Sequence, residues 1–215
     1  MATSARKSRD SVTTADRVSF WVRQIRNSAI LAAVTSLLSA LATFAQARSL
    51  SIDYSASATS TDLPTLAGLF VSGLYSVASL WFTVGLMGFG LRGAQLVRDR
   101  GQKLRLKPGW AIGGWFIPIG QLIIPFIVLT DITAGVPDEA KAGSLRRSAG
   151  WFWIWWTALS QLASYGMSMV LSADAVVQFN GWKLYAGALA FNIVPLMLAR
   201  RFFAQLETEL VGNQS

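Results

Sequence analysis

The sequence predicts an all-α integral membrane fold of four transmembrane helices plus one helical element broken by proline and glycine, either re-entrant or lying in the membrane plane. Three observations predict it. Hydrophobic residues fill 53% of the 215 positions and charged residues only 14%, against roughly 25% charged in ordinary soluble domains. The apolar residues fall in long runs separated by short basic or polar segments. Between the second and third of these runs lies an apolar stretch interrupted by Pro118, Pro125, Gly109, Gly113, Gly114 and Gly120.

Composition also excludes several chemistries. The chain has no Cys and no His, which removes disulfides, thiolate or imidazole metal sites, haem ligation through either residue, and His or Cys catalysis. The net charge of +8 arises from 19 basic and 11 acidic residues placed between apolar runs. Such placement reads as orientation signals for a membrane protein and not as a nucleic-acid surface. A single membrane domain over residues 17–206 is expected.

Residues 1–16 are Ser/Thr-rich and basic, with little to bury, and are expected to be a disordered tail. From residue 17 an amphipathic pattern, with Val18, Phe20, Val22 and Ile25 among Arg17, Arg23 and Arg26, predicts a short interfacial helix with Trp21 at headgroup level. The first apolar run, 28–46, ends in Ala45-Gln46-Ala47, the small-x-small form of a signal-peptidase site. Its long leader and the small face Ala29, Ala32, Ala33, Ser36, Ala40 and Thr43 favour a retained helix.

The second run, 63–92, is long enough to span with tilt. It carries a small, weakly polar stripe of Gly68, Ser72, Ser76, Ser79 and Thr83, read as helix contact. Arg146 and Arg147 then precede Trp151, Trp153, Trp155 and Trp156, the pattern of a helix entering lipid from the cytoplasmic headgroups, and a third span is predicted at 149–171. A polar turn over 172–181 leads to the fourth span, 182–200, and residues 207–215 form a tail.

The broken element, 108–132, is the candidate site. Pro118 and Pro125 each delete a backbone donor and free a carbonyl four residues earlier, those of Gly114 and Gln121, which hydrocarbon cannot satisfy. The element is therefore expected to be buried in protein or to lie at the interface. Its candidate structural or cavity-lining residues are Trp115, Pro118, Gln121, Pro125 and Asp131. Gln121, between the two prolines, either satisfies freed carbonyls or meets a solute; Asp131 is the one acid placed close to the bilayer. If the element does not cross, 17 basic residues face the cytoplasm and only Arg48 and Lys183 lie outside. If it crosses, the split is 13 to 6. The positive-inside rule favours the first arrangement, with both termini cytoplasmic.

The series Pro108-Gly109-Trp110-Ala111, Gly114-Trp115-Phe116-Ile117-Pro118, Gln121-Leu122 and Pro125, followed by a Trp-rich helix start, resembles a group of uncharacterised bacterial multi-pass membrane proteins catalogued as domain of unknown function 4328. The resemblance covers roughly residues 28–205 and implies a bacterial inner-membrane protein of four helices. It brings no biochemical activity with it. The family's amide position is more often Asn, so Gln121 is a departure.

No catalytic constellation can be assembled within the spans: there is no Ser with a His or Lys base, no paired Asp and no metal set. The expectation is a non-enzymatic protein without cofactor, acting as an accessory, scaffold or assembly subunit. Its expected partners are anionic lipid headgroups at the basic cytoplasmic loops and a protein partner or second copy, with no nucleic acid. The alternative is a small-solute or lipid transporter or channel whose cavity the broken element lines.

Overall fold

The computed structural model describes residues 2–52, 63–117, 119–172 and 174–212, and no strand occurs among them. Pro118 lies outside the described residues, as does most of the polar loop after the first run.

The first helix, α1, runs Ala2–Ile52. It continues through the segments read from the sequence as a tail and as a short interfacial helix: no Gly or Pro occurs between its ends, so a helix nucleated in the apolar segment meets nothing that stops it. The second, α2, runs Leu63–Asp99, seven residues beyond the predicted boundary. Gly101, at φ +89°, ends it. Gly101 N donates to Arg98 O at 2.8 Å and Gln102 N to Val97 O at 3.2 Å, a Schellman arrangement that only a residue without Cβ adopts cheaply.

The broken element consists of α3 (Trp110–Gly113), a single 3-10 turn (Gly114–Phe116), an extended Ile117 at φ −101°, ψ 119°, and α4 (Gly120–Thr133). Pro125 does not break it: α4 continues through it. Pro125 sits near the helix start, so the carbonyl it deprives belongs to Gln121 in the first turn.

The Trp-rich helix, α5, runs Glu139–Val170. It starts ten residues before the predicted 149 because Asp138 Oδ1 accepts from Ala140 N at 2.9 Å and Lys141 N at 3.1 Å, which satisfies free donors of the first turn. Asp174 does the same for α6 (Ala175–Phe191), accepting from Val176 N and Val177 N at 2.8 and 3.2 Å. The predicted single span 182–200 is thus two helices: α6, then α7 (Ile193–Val211), parted at Asn192. Pro195 explains the division, since it has no N–H for the Phe191 carbonyl.

Three stretches among the described residues are long and apolar enough to cross a membrane: Thr14–Ala45, Phe70–Asp99, and Val176–Val211 through the α6/α7 junction. The predicted third span within α5 does not reach that standard, because Trp, Tyr, Ser and Gln lower its hydropathy.

The chain divides into two compact units. Unit 1 takes Met1–Ser28, Trp81–Trp153 and Leu198–Ser215. Its core is aromatic, with Phe82, Phe89, Phe152, Phe202 and Phe203 fully buried and meeting edge to face at 4.9–6.4 Å between ring centres. Unit 2 takes Ala29–Leu80 and Ile154–Met197. The small face of α1, from Ala29 to Thr43, is buried. In the same unit α5 and α6 pass backbone to backbone: a Cβ on Gly166 would lie 2.8 Å from Tyr185 N, and one on Gly181 2.7 Å from Val170 N.

Candidate functional site

The site is built on α4 and held from the loop that precedes it. Asp131 is 9% exposed near the C-terminal end of α4. A carboxylate so placed needs a cation and hydrogen-bond donors, and Arg105 supplies both. Its backbone N donates to Asp131 Oδ2 at 2.9 Å and its Nε to Oδ1 at 2.5 Å. Its Nη2 donates to the Thr130 hydroxyl and to Ile127 O, the latter at 3.3 Å. One residue of the loop therefore occupies both oxygens of Asp131 and grips the last turns of α4. This pins the loop between α2 and α3 to the broken element.

At the other end of α4 the problem is the proline. Pro125 crowds the carbonyls three and four residues before it, and the Leu122 carbonyl accepts from the Trp153 indole Nε1 at 2.6 Å. The same indole meets Trp115 edge to face at 5.9 Å. Trp115, Pro125 and Trp153, with Leu86, Gly90, Ala111, Val128 and Leu129, enclose an apolar cavity of about 10 Å³, about the size of one water. Its lining is tight at Gly90, where a Cβ would lie 3.2 Å from Ala111 Cβ; elsewhere on the same helix a Cβ on Gly93 would lie 2.9 Å from Ile132 Cδ1, and one on Gly88 would collide with the Trp21 ring.

A second cavity lies beside the ion pair. It measures about 340 Å³ and is lined by Arg105, Phe126, Thr130, Asp131, Ala134 and Arg146. Farther along unit 1, Lys141 Nζ donates to Glu209 Oε1 at 2.9 Å, a bond that raises the Lys141 pKa above its ordinary value. Arg100 Nη2 donates to Leu210 O at 2.5 Å, so the end of α7 is tied down in the same unit.

The sequence-derived candidates thus separate. Trp115 and Pro125 share the small cavity, and Asp131 lines the large one. Gln121 is exposed and lines neither; the side-chain bond found beside Pro125 comes from Trp153 and goes to the Leu122 carbonyl. Pro118 is outside the described residues. Arg105, Arg146 and Trp153 are not among the candidates that the sequence suggests, because each also fits a topology signal or an interface anchor. The available signal was Asp131 itself, an acid in an apolar helix that must find a cation.

No group of His, Cys, Asp or Glu able to hold a metal occurs among the described residues. No curated protein and no solved structure matches the chain. A family model, described as domain of unknown function (DUF4328), matches residues 48–208. With three quarters of its length covered by that match, and with the Trp-Phe-x-Pro series lying inside it, the chain belongs to this family.

Proposed function

We propose that the protein is a non-enzymatic scaffold or assembly subunit of a bacterial inner membrane. It crosses four times, through α1, α2, α5 and the α6/α7 pair, with both termini cytoplasmic and the broken element entered from the cytoplasmic face. The observation that carries this reading is the composition of unit 1. It gathers the whole of α3 and α4, the N-terminal parts of α1 and α5, and the C-terminal parts of α2 and α7. Those are the helix ends that share one side of the membrane if the broken element does not cross. Unit 1 also contains 17 of the 19 basic residues, leaving Arg48 and Lys183 to unit 2, and by the positive-inside rule this supports a cytoplasmic side for those helix ends.

The scaffold role is supported by how firmly the broken element is held. A solute path needs free backbone groups along a cavity. Here the Leu122 carbonyl beside Pro125 accepts from the Trp153 indole, the void next to it is water-sized, and Asp131 is engaged by Arg105. Gentle detergent extraction tests the role: a defined partner or a homo-oligomer is expected, and a strictly monomeric, partner-free protein contradicts it. A second reading, a small-solute or lipid transporter, draws on the 340 Å³ cavity at the Asp131 end. It requires flux in reconstituted vesicles, which the scaffold reading excludes.

A further inference from the structure

We propose that the cleft lined by Arg105, Thr130 and Arg146 binds the headgroup of an anionic glycerophospholipid, with an acyl chain lying along α4. The inference rests on the reading of this chain as a membrane protein, and it assigns a lipid to one place in it.

The donor inventory of Arg105 comes first. A guanidinium has five N–H groups. Nε is given to Asp131, and Nη2 to Thr130 and Ile127. The two N–H groups of Nη1 have no partner among the described residues, although the side chain is held by its other contacts and 60% exposed. A fixed fork with two unused donors at the wall of a 340 Å³ cleft suits a phosphate oxygen pair.

Charge comes next. Arg105 and Asp131 cancel, while Arg146, exposed on the same cleft, makes no ion pair or hydrogen bond among the described residues. The cleft therefore carries one uncompensated positive charge. A phosphodiester monoanion neutralises it, and a zwitterionic headgroup brings a second cation that it does not need.

The third observation selects a lipid over a free anion. Ile119, Ile123, Phe126, Thr130 and Ala134 follow one another at steps of four and three, so they lie on one face of α4 and its two helical caps. Thr130 and Ala134 line the cleft together with Phe126, whereas Ile119 and Ile123 are 73% and 52% exposed. A polar, cationic pocket thus opens onto a continuous apolar strip. Inorganic phosphate uses only the first, and an amphiphile uses both.

The test uses the full chain in mild detergent, with bound lipid read by native mass spectrometry after titration with phosphatidylglycerol, phosphatidylcholine or inorganic phosphate. Wild type is expected to retain phosphatidylglycerol over phosphatidylcholine. Arg146→Gln is expected to weaken that retention about tenfold, the ordinary worth of a charge-assisted contact, and Arg146→Lys to recover part of it. Arg147→Gln, one position on, is expected to match wild type. Because Arg146 has no protein partner to lose among the described residues, its variant folds as wild type does. Equal losses in Arg146→Gln and Arg147→Gln overturn the site. Equal retention of the two lipids overturns the headgroup assignment. Inorganic phosphate binding as tightly as the lipid, with the same dependence on Arg146, overturns the lipid in favour of a free anion. Binding in micelles is independent of orientation, so failure in this test leaves the topology standing, and a wrong topology leaves this binding intact.

Discussion

The two units solve the same problem, how to hold helices together, with different chemistry. Unit 1 relies on aromatic edges and charge. The four ion pairs found among the described residues, Arg26–Glu207, Arg98–Asp99, Arg105–Asp131 and Lys141–Glu209, are all in it, as is the Phe82, Phe89, Phe152, Phe202 and Phe203 cluster. Unit 2 relies on small residues and neutral hydrogen bonds: Ser36 Oγ donates to Leu189 O at 2.6 Å, Asn192 Nδ2 to the Tyr75 hydroxyl at 2.8 Å, and Gly166 and Gly181 let backbones touch. On the proposed topology the difference follows the solvent. Where hydrocarbon surrounds a helix pair, apolar burial supplies no drive and close contact must replace it; where water is near, charged groups are tolerated.

The strongest way to break this contrast is at the close pass of unit 2. Gly181→Ala places a methyl against the Val170 backbone nitrogen, which cannot move aside as a side chain would. A loss of about 3 kcal/mol is expected in an SDS unfolding titration. An unchanged midpoint would show that the helices are held otherwise.

The next effect belongs to unit 1. Arg105→Ala strands the Asp131 carboxylate with 9% exposure and is expected to cost about 2 kcal/mol, below a fully buried pair because the arginine is half in solvent. Adding Asp131→Ala to it should recover most of the loss, and a double-mutant cycle that shows no coupling refutes the clamp.

A matched pair then sharpens the comparison. Trp153→Phe keeps a ring beside Trp115 and removes the donor to the Leu122 carbonyl, at about 1 kcal/mol. Tyr75→Phe removes the acceptor for Asn192 at about 0.6 kcal/mol, the average for such bonds between membrane helices. Equal effects would dissolve the distinction between the indole bond beside Pro125 and ordinary interhelical bonding.

The smallest effect is the exposed Lys141–Glu209 bond. Its raised lysine pKa means that its stabilisation is fully present below the ordinary lysine value and is lost as pH rises through the higher folded value. Lys141→Met should therefore match wild type more closely above that value than at pH 7.

Much of the fold is legible in the sequence because hydropathy and residue size are local. The buried face of α1 from Ala29 to Thr43 can be read from spacing alone, and the interruption at Ile117 from the proline that follows it, whereas the break expected at Pro125 does not occur. Helix ends are not legible from hydropathy, which reports where lipid stops and not where hydrogen bonding stops. Asp138, Asp174 and Gly101 carry that information as caps. Pro195 announces the α6/α7 division but is hidden by uniformly apolar surroundings. The Arg105–Asp131 pair joins positions 26 apart, and no periodicity reports such a contact.

The central claim, four spans with the broken element entering from and returning to the cytoplasmic side, is tested most directly by single-cysteine accessibility in intact cells, since the chain has no cysteine of its own. Cysteines at Gln102, Ala140 and Ser172 are sufficient. A membrane-impermeant reagent should label only the Ser172 position from outside. Labelling of the Ala140 position from outside would mean that the element crosses, that unit 1 does not lie on one side of the membrane, and that the four-span topology is wrong.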